Sequence, residues 1–201
     1  LRVAFEYCEG LTILRQDPWE TLVTFILSQN NHMPRIRSLV EKLAVLRGKE
    51  IHYLGENDEL KEETFYTFPS PQELSDVSEE ELRSLGFGYR AKYVVDAVEK
   101  VLSGSVDLQR IEEFTLEEAR KELMKIKGVG VKVADCVLLF GYGFQEAFPV
   151  DVWVDRALKR FYLQEMKAYS SREAFVQEYF MGDGGLAQQM LFHTLRNGRY
   201  T

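Results

Sequence analysis

The sequence predicts an all-α protein. Helix-start signals recur along the chain, the apolar residues between them repeat at helical spacing, and strand evidence is confined to one short stretch. Asp17-Pro18-Trp19-Glu20 places a capping aspartate before proline at the first helical position, with glutamate at the third. Ser70-Pro71-Gln72-Glu73, Ser78…Glu81, Thr115…Glu118 and Ser170…Glu173 repeat that grammar. Leu22, Phe25 and Ile26 follow helical spacing, as do Leu39, Leu43 and Leu46. Gly48, Gly86, Gly104 and Gly198 stand where helices should end.

In chain order, these signals predict helices over 18–29, 34–47, 71–75, 79–85, 89–103, 115–126, 131–140, 152–163, 171–180 and 185–196. The stretch 49–67, with IHYL and TFYTF, has the composition of one small hairpin over an acidic turn. No internal repeat, low-complexity segment or Gly/Ser linker appears. At 201 residues the chain is one domain or two closely packed lobes, long enough to bury a real core.

Composition narrows the function classes. With 45% apolar and 28% charged residues, this is an ordinary globular chain. The longest apolar candidate, VLLFGYGF at 137–144, falls far short of the roughly 18 residues a membrane helix needs. The N-terminus, LRVAFEYCEG, lacks the basic region and apolar stretch of a signal peptide. It opens on Leu1 rather than Met, so a piece of a longer protein is expected. Cys8 and Cys136 match no metal spacing, and His32, His52 and His193 are scattered. No metal and no cofactor are therefore expected, and the setting is a reducing, cytoplasmic one.

A net charge of −7 taken alone argues against a nucleic-acid partner. The acid is uneven, however. ENDELKEE at 56–63 holds five acidic residues against one lysine and reads as a solvated loop. Between 125 and 160, Lys125, Lys127, Lys132, Arg156, Lys159 and Arg160 outnumber Asp135, Glu146, Asp151 and Asp155. A local DNA-facing surface is compatible with that distribution.

The stretch IKGVGVKVADC at 126–136 carries the most chemistry. LEEARKELMKI forms one helix and VKVADCVLLF begins another, so Lys127-Gly128-Val129-Gly130 is a tight hairpin between them. Glycine there permits positive φ and close approach of another backbone. The second helix offers unpaired N–H groups and a partial positive charge, together an anion site. Such a motif holds a DNA phosphate through bare backbone, at Gly128, Gly130 and Val133, which reconciles an acidic chain with a DNA partner. A plain helix-to-helix turn is the other reading of the same residues.

LMKIKGVGVKVADC followed by FPVDVWV resembles the helix–hairpin–helix (HhH-GPD) superfamily of DNA glycosylases, specifically its 8-oxoguanine DNA glycosylase/AP lyase branch. QDPWETLVTFILSQNN, GFGYRAKYV at 86–94, PVD at 149–151 and GLAQQMLF at 185–192 follow that family's order. The resemblance implies a two-lobed helical bundle, with the hairpin motif at about 115–140 in a glycosylase domain spanning 1–201. Longer family members carry an N-terminal, mostly β domain, which supplies a glycine carbonyl to N7–H of 8-oxoguanine; nothing in this sequence matches that domain. The implied partner is double-stranded DNA containing oxidised guanine, bound by a monomer with no membrane attachment. The implied location is the cytoplasm, on the nucleoid in a bacterium, or the nucleus in a eukaryote.

The resemblance also implies site roles. Lys132 is the nucleophile; a helix N-terminus and partial burial both disfavour an ammonium, which suits a lysine that must attack. Asp151 stabilises positive charge developing on the sugar, and Pro149-Val150-Asp151 before an apolar helix is also an N-cap. The flipped base lies between Phe192 and Cys136 while Gln188 reads its Watson–Crick edge. Helical spacing agrees, since Lys132 and Cys136 share a face and so do Gln188 and Phe192. Asn30 fills the vacated helix, Tyr89 wedges the stack, and Arg35 and Arg90 hold the orphaned cytosine. Trp153 departs from the pattern: it stands where relatives carry a histidine near a phosphate, and an indole donates one hydrogen bond but carries no charge.

Two other classes remain open on sequence. One is a glycosylase for another damaged base; Lys132 disfavours the monofunctional alkyl-base enzymes, and the lack of a four-cysteine cluster disfavours the iron–sulfur relatives. The other is a non-catalytic helix–hairpin–helix DNA-binding module, for which Lys132, Asp151 and the Gln188/Phe192 pair are superfluous.

Overall fold

The computed structural model describes residues 2–54, 60–180 and 182–196. In chain order the helices are α1 (Arg2–Tyr7), α2 (Pro18–Ser28), α3 (Met33–Arg47), α4 (Glu79–Ser84), α5 (Ala91–Leu102), α6 (Leu116–Leu123), α7 (Val131–Val137), α8 (Val152–Phe161), α9 (Leu163–Met166), α10 (Arg172–Tyr179) and α11 (Gly184–Arg196). Between α3 and α4, β1 (Glu50–Leu54) pairs antiparallel with β2 (Leu60–Tyr66), in a register that sets Glu50 opposite Tyr66 and His52 opposite Thr64. The protein is all-α apart from that hairpin. Side chains of the acidic run at 56–63, and the helix end expected at Gly198, lie outside the described residues. No helix among the described residues is long and apolar enough to cross a membrane.

Most helix starts obey the capping signals. Ser78 Oγ accepts from Glu81 N at 3.1 Å, and Thr115 with Glu118 closes a reciprocal box. Three expectations need correction. Residues 71–75 form turns: Ser70 and Glu73 do close a capping box, but the bonds that follow, such as Ser75 N to Gln72 O, are short-range and no helix propagates. The cap of α10 is Ser171, not Ser170, with Ala174 N donating to its Oγ at 3.0 Å. The helix expected over 131–140 is α-helical only to Val137 and widens into a π turn at Leu138–Tyr142, closed by left-handed Gly143.

The chain forms two compact units. One comprises Leu1–Pro18, Ile111–Glu122 and Gly130–Thr201, the other Trp19–Arg110 and Leu123–Val129. In the first, α8 packs on α11, and their apolar faces share a core with α10 built on Leu158, Tyr162, Phe175, Phe180 and Leu191. Its rings meet edge to face as well as stacked, Phe148 on Phe180 at 5.5 Å and Tyr162 against Phe180 at 5.8 Å. α1 is pinned to α11 through Ala4, Cys8 and Met190.

In the second unit, α2 buries Leu22, Val23, Ile26 and Leu27, and the Trp19 indole N–H donates to Pro69 O at 2.9 Å. α4 packs on α5, which buries Ala91, Val94, Ala97 and Val98 along one face. Another side of α5 carries Asp96. Its buried carboxylate accepts from Lys127 N at 2.7 Å and Lys100 Nζ at 2.8 Å, with Lys127 Nζ at 3.3 Å. Lys100 also donates to Lys125 O. A single carboxylate thus satisfies the backbone N–H at the hairpin entry and neutralises two cations.

Burial works against the Asp96 charge, but the hydrogen bonds from Lys100 and Lys127 prevail and hold its pKa below the ordinary carboxylate range. A depressed folded-state pKa gives stability that is present above the unfolded value, near 3.9, and is lost as pH falls through the folded value. Asp96→Ala should therefore cost about 2 kcal/mol in urea unfolding at neutral pH, by orphaning the Lys127 backbone N–H and removing the charge on which Lys100 rests. That cost should shrink as the pH of the titration is lowered below about 4.

Candidate active site

The two glycines of the hairpin do different things. Gly128 has φ +80°, and a Cβ there would lie 2.5 Å from the Tyr93 ring, so both conformation and space demand glycine. The close neighbour is an aromatic ring rather than the expected backbone. Gly130 has φ −101° and ψ −179°, an extended conformation open to any residue, and nothing lies within 4 Å of where its Cβ would be. Gly130 is the N-cap of α7 without any side-chain capping bond. The first-turn amides of α7 are thus presented beside an unobstructed backbone.

Lys132 is the second residue of α7, half-buried, followed by five buried residues from Val133 to Val137. One turn on, Cys136 is 4% exposed and within hydrogen-bonding reach of Lys132. Burial pushes the Cys136 thiol up to about 12; the Lys132 charge and hydrogen bond oppose that shift, and Asp135 and Asp151 add to it. The thiol is therefore protonated at neutral pH, a packing and donor group rather than a nucleophile. Lys132 and Asp151 both lie close enough to Cys136 to act on its thiol electrostatically.

Asp151 caps α8. Its Oδ1 accepts from Trp153 N at 2.9 Å and Val154 N at 2.8 Å, so capping fixes one oxygen and leaves Oδ2 to face other partners. Gln188 is buried in α11, with Oε1 accepting from Gln189 Nε2 at 2.6 Å. Phe192, one turn later, packs at the edge of the aromatic core, with the Arg196 guanidinium 5.7 Å from its ring centre. Val133 is buried in α7, so it can meet a ligand only through its backbone.

The pair that anchors α7 is not among the sequence-predicted residues. Asp135, 3% exposed, accepts from Arg120 Nε at 2.5 Å and Nη2 at 3.3 Å. Burial pushes the Asp135 carboxyl up and Arg120 pulls it back. The two residues are 15 apart in sequence, so no local spacing marks them. A cleft of roughly 270 Å³ opens beside Lys132, lined by this pair together with Phe148, Val150, Arg172 and Val176; Cys136, Gln188 and Phe192 do not line it.

The other four site residues gather in the second unit. Asn30, just past α2, has φ +47°, the only positive φ of a non-glycine among the described residues. The carbonyls of Gln29 and Asn30 collect donors: Tyr89 Oη at 3.1 Å and Arg90 Nε at 3.0 Å on Gln29 O, and Arg90 Nη2 on both, at 2.9 Å from Asn30 O. Arg90 is buried and lies over the Tyr89 ring, while Arg35 is exposed and donates to Gly86 O at 3.1 Å. Arg90 thus acts first as the clamp of the loop that carries Asn30.

Known proteins with similar sequences carry related names. The chain is 39% identical over 165 residues to an N-glycosylase/DNA lyase of Saccharomyces cerevisiae, covering 77% of this chain and 42% of that protein. It is 37% identical over 199 residues to the N-glycosylase/DNA lyase OGG1 of Arabidopsis thaliana, covering 92% and 52%. The chain spans about half the length of these relatives. In three dimensions it resembles the 8-oxoguanine glycosylase/lyase of Clostridium acetobutylicum in complex with double-stranded DNA containing cytosine opposite 8-oxoG. The TM-score is 0.86 at 34% identity, over 99% of this chain and 66% of that one. Residues 23–180 match the family model of HhH-GPD superfamily base excision DNA repair proteins. With that match over more than half of its length, the chain belongs to the HhH-GPD superfamily.

Proposed function

We propose that this chain is the catalytic domain of a bifunctional DNA glycosylase/AP lyase that excises 8-oxoguanine from duplex DNA, as a monomer, in base-excision repair. The observation that carries this reading is the Lys132–Cys136–Asp151 cluster. An amine on the first turn of a helix meets a thiol that burial keeps protonated, in reach of a carboxylate with one oxygen fixed by capping. A DNA-binding module needs none of these. The Clostridium relative's complex with cytosine opposite 8-oxoG, and the glycosylase/lyase names of the curated relatives, support the same substrate.

In this mechanism the neutral Lys132 amine attacks C1′ of the damaged nucleotide. The C1′–N9 bond breaks and the base departs with a proton originating from the lysine. Asp151 stabilises positive charge on the sugar as that bond weakens. Opening of the sugar ring leaves a protonated imine between Nζ and C1′. Loss of a proton from C2′ then expels the 3′ phosphate, and water releases the lysine. Cys136 and Phe192 would flank the extruded base and Gln188 would read its edge.

DNA would be held by the amides around Gly128, Gly130 and Val133, where the missing side chain of Gly130 admits a phosphate. Asn30 and Tyr89 would fill the gap, and Arg35 and Arg90 would face the orphaned cytosine. Two Arg90 nitrogens serve the Gln29 and Asn30 carbonyls, which suits a residue that positions Asn30 and reads the opposite base with its remaining donors.

Borohydride trapping on a labelled duplex with one 8-oxoguanine opposite cytosine tests the reading. Wild type should give a covalent band that Lys132→Gln lacks while retaining affinity for damaged DNA. Trapping on an abasic duplex alone would mean a different base is the substrate; trapping on neither would leave a binding module. In single-turnover excision, Asp151→Asn should be slower by about 10²–10³ with binding nearly unchanged, the scale for loss of one electrostatic stabiliser. Excision at the wild-type rate would reduce Asp151 to a helix cap.

A further inference from the structure

We propose that the exposed face of α8 is a track for the DNA phosphate backbone, with Arg156 as its principal contact and Trp153 as the residue that holds Arg156 in place. The proposal rests on the DNA-repair reading above and extends it to residues beyond the reaction centre.

Trp153, Arg156 and Arg160 fall three and four residues apart, on one stripe of α8, and all three are exposed. The Arg156 guanidinium lies 5.3 Å from the Trp153 ring centre. Among the described residues Arg156 makes no ion pair. The acid next to it, Asp155, is engaged elsewhere, by Lys159 Nζ at 2.6 Å and Arg172 Nη1 at 3.5 Å. Asp155 is also two residues from Trp153, which turns it to another side of the helix. In a chain with 32 acidic residues against 25 basic ones, Arg156 is a local positive charge without a carboxylate on it.

The stacking geometry suits a phosphate. A guanidinium lying over an aromatic face keeps its N–H edges in plane and available for bidentate bonds to two oxygens. It is also restrained before binding, so less freedom is lost on contact. Trp153, 41% exposed, is a large apolar side chain left in water by the fold, and its indole face serves as that restraint. Arg160 follows Arg156 by about 6 Å along the axis, less than two nucleotide steps of one strand. Because α8 begins at Asp151, the stripe runs outward from the proposed reaction centre. Phosphate contact of this kind places the duplex without reading its sequence.

Equilibrium binding of the chain to two duplexes, one undamaged and one with a tetrahydrofuran abasic analogue, tests this as a function of salt. Arg156→Gln should lower the slope of log affinity against log salt by about 0.9 on both duplexes, and Arg156→Gln with Arg160→Gln by about 1.8. Equivalently, the wild-type advantage over Arg156→Gln should shrink about 3.5-fold between 50 and 200 mM salt. Arg156→Lys should keep the slope while losing affinity. Trp153→Ala should weaken binding, yet add nothing in the Arg156→Gln background. An unchanged slope in Arg156→Gln would overturn the phosphate contact, and additive effects would overturn the role given to Trp153. Borohydride trapping of the wild type on the abasic duplex checks the enzyme reading separately. Loss of trapping in wild type itself would instead count against the enzyme reading.

Discussion

The ion pair between Arg120 and Asp135 is the constraint on which the placement of Lys132 and Cys136 depends. α7 is buried along nearly its whole length, and a carboxylate inside it is tolerable only with a cation on it. Arg120 supplies one through two nitrogens, which fixes both the rotation of α7 and its distance from α6. Lys132 lies three residues before Asp135 and Cys136 one after it, so the rotation set by the pair decides where the amine and thiol point. A helix held only by apolar contacts would have more freedom to turn, and the buried pair removes it.

The second unit is organised differently, around one face and one end of α5. At the start of that helix Tyr89 and Arg90 clamp the carbonyls on either side of Asn30. One turn in, Tyr93 fills the space left by Gly128, and three residues later Asp96 takes the hairpin amide of Lys127. The residues proposed to fill the vacated base and those that shape the hairpin are therefore borne on a single rigid element. Polar bonds to backbone make the joints at Gln29–Asn30 and at Lys127, and each is directional enough to hold a loop in one conformation.

Much of this was legible from the chain. Helix starts were marked by Ser, Thr and Asp caps because capping is a local interaction spanning three residues. The cap at Asp151 follows from Pro149-Val150-Asp151 alone, and Lys132 with Cys136 on one face follows from a spacing of four. The misjudged segments show the limit of local signals. Ser70 and Glu73 form a capping box that no helix follows, and the π turn after Val137 has no signature in its residues. Gly130 looked like a conformational glycine beside Gly128, but its backbone is ordinary and only its open surroundings set it apart.

The sequence by itself determined the all-α fold, the hairpin motif, the cap at Asp151 and the shared face of Lys132 and Cys136, because helical periodicity, capping and turn chemistry act over a few neighbouring positions. Only the tertiary structure decided what those residues face. Asp96 meets Lys127 across 31 positions, Arg90 reaches Gln29 across 61, and Arg120 reaches Asp135 across 15. Nothing in the local sequence favours burying an aspartate or an arginine. The partner that makes such burial tolerable arrives through the path of the chain, so these choices appear only once the helices have packed.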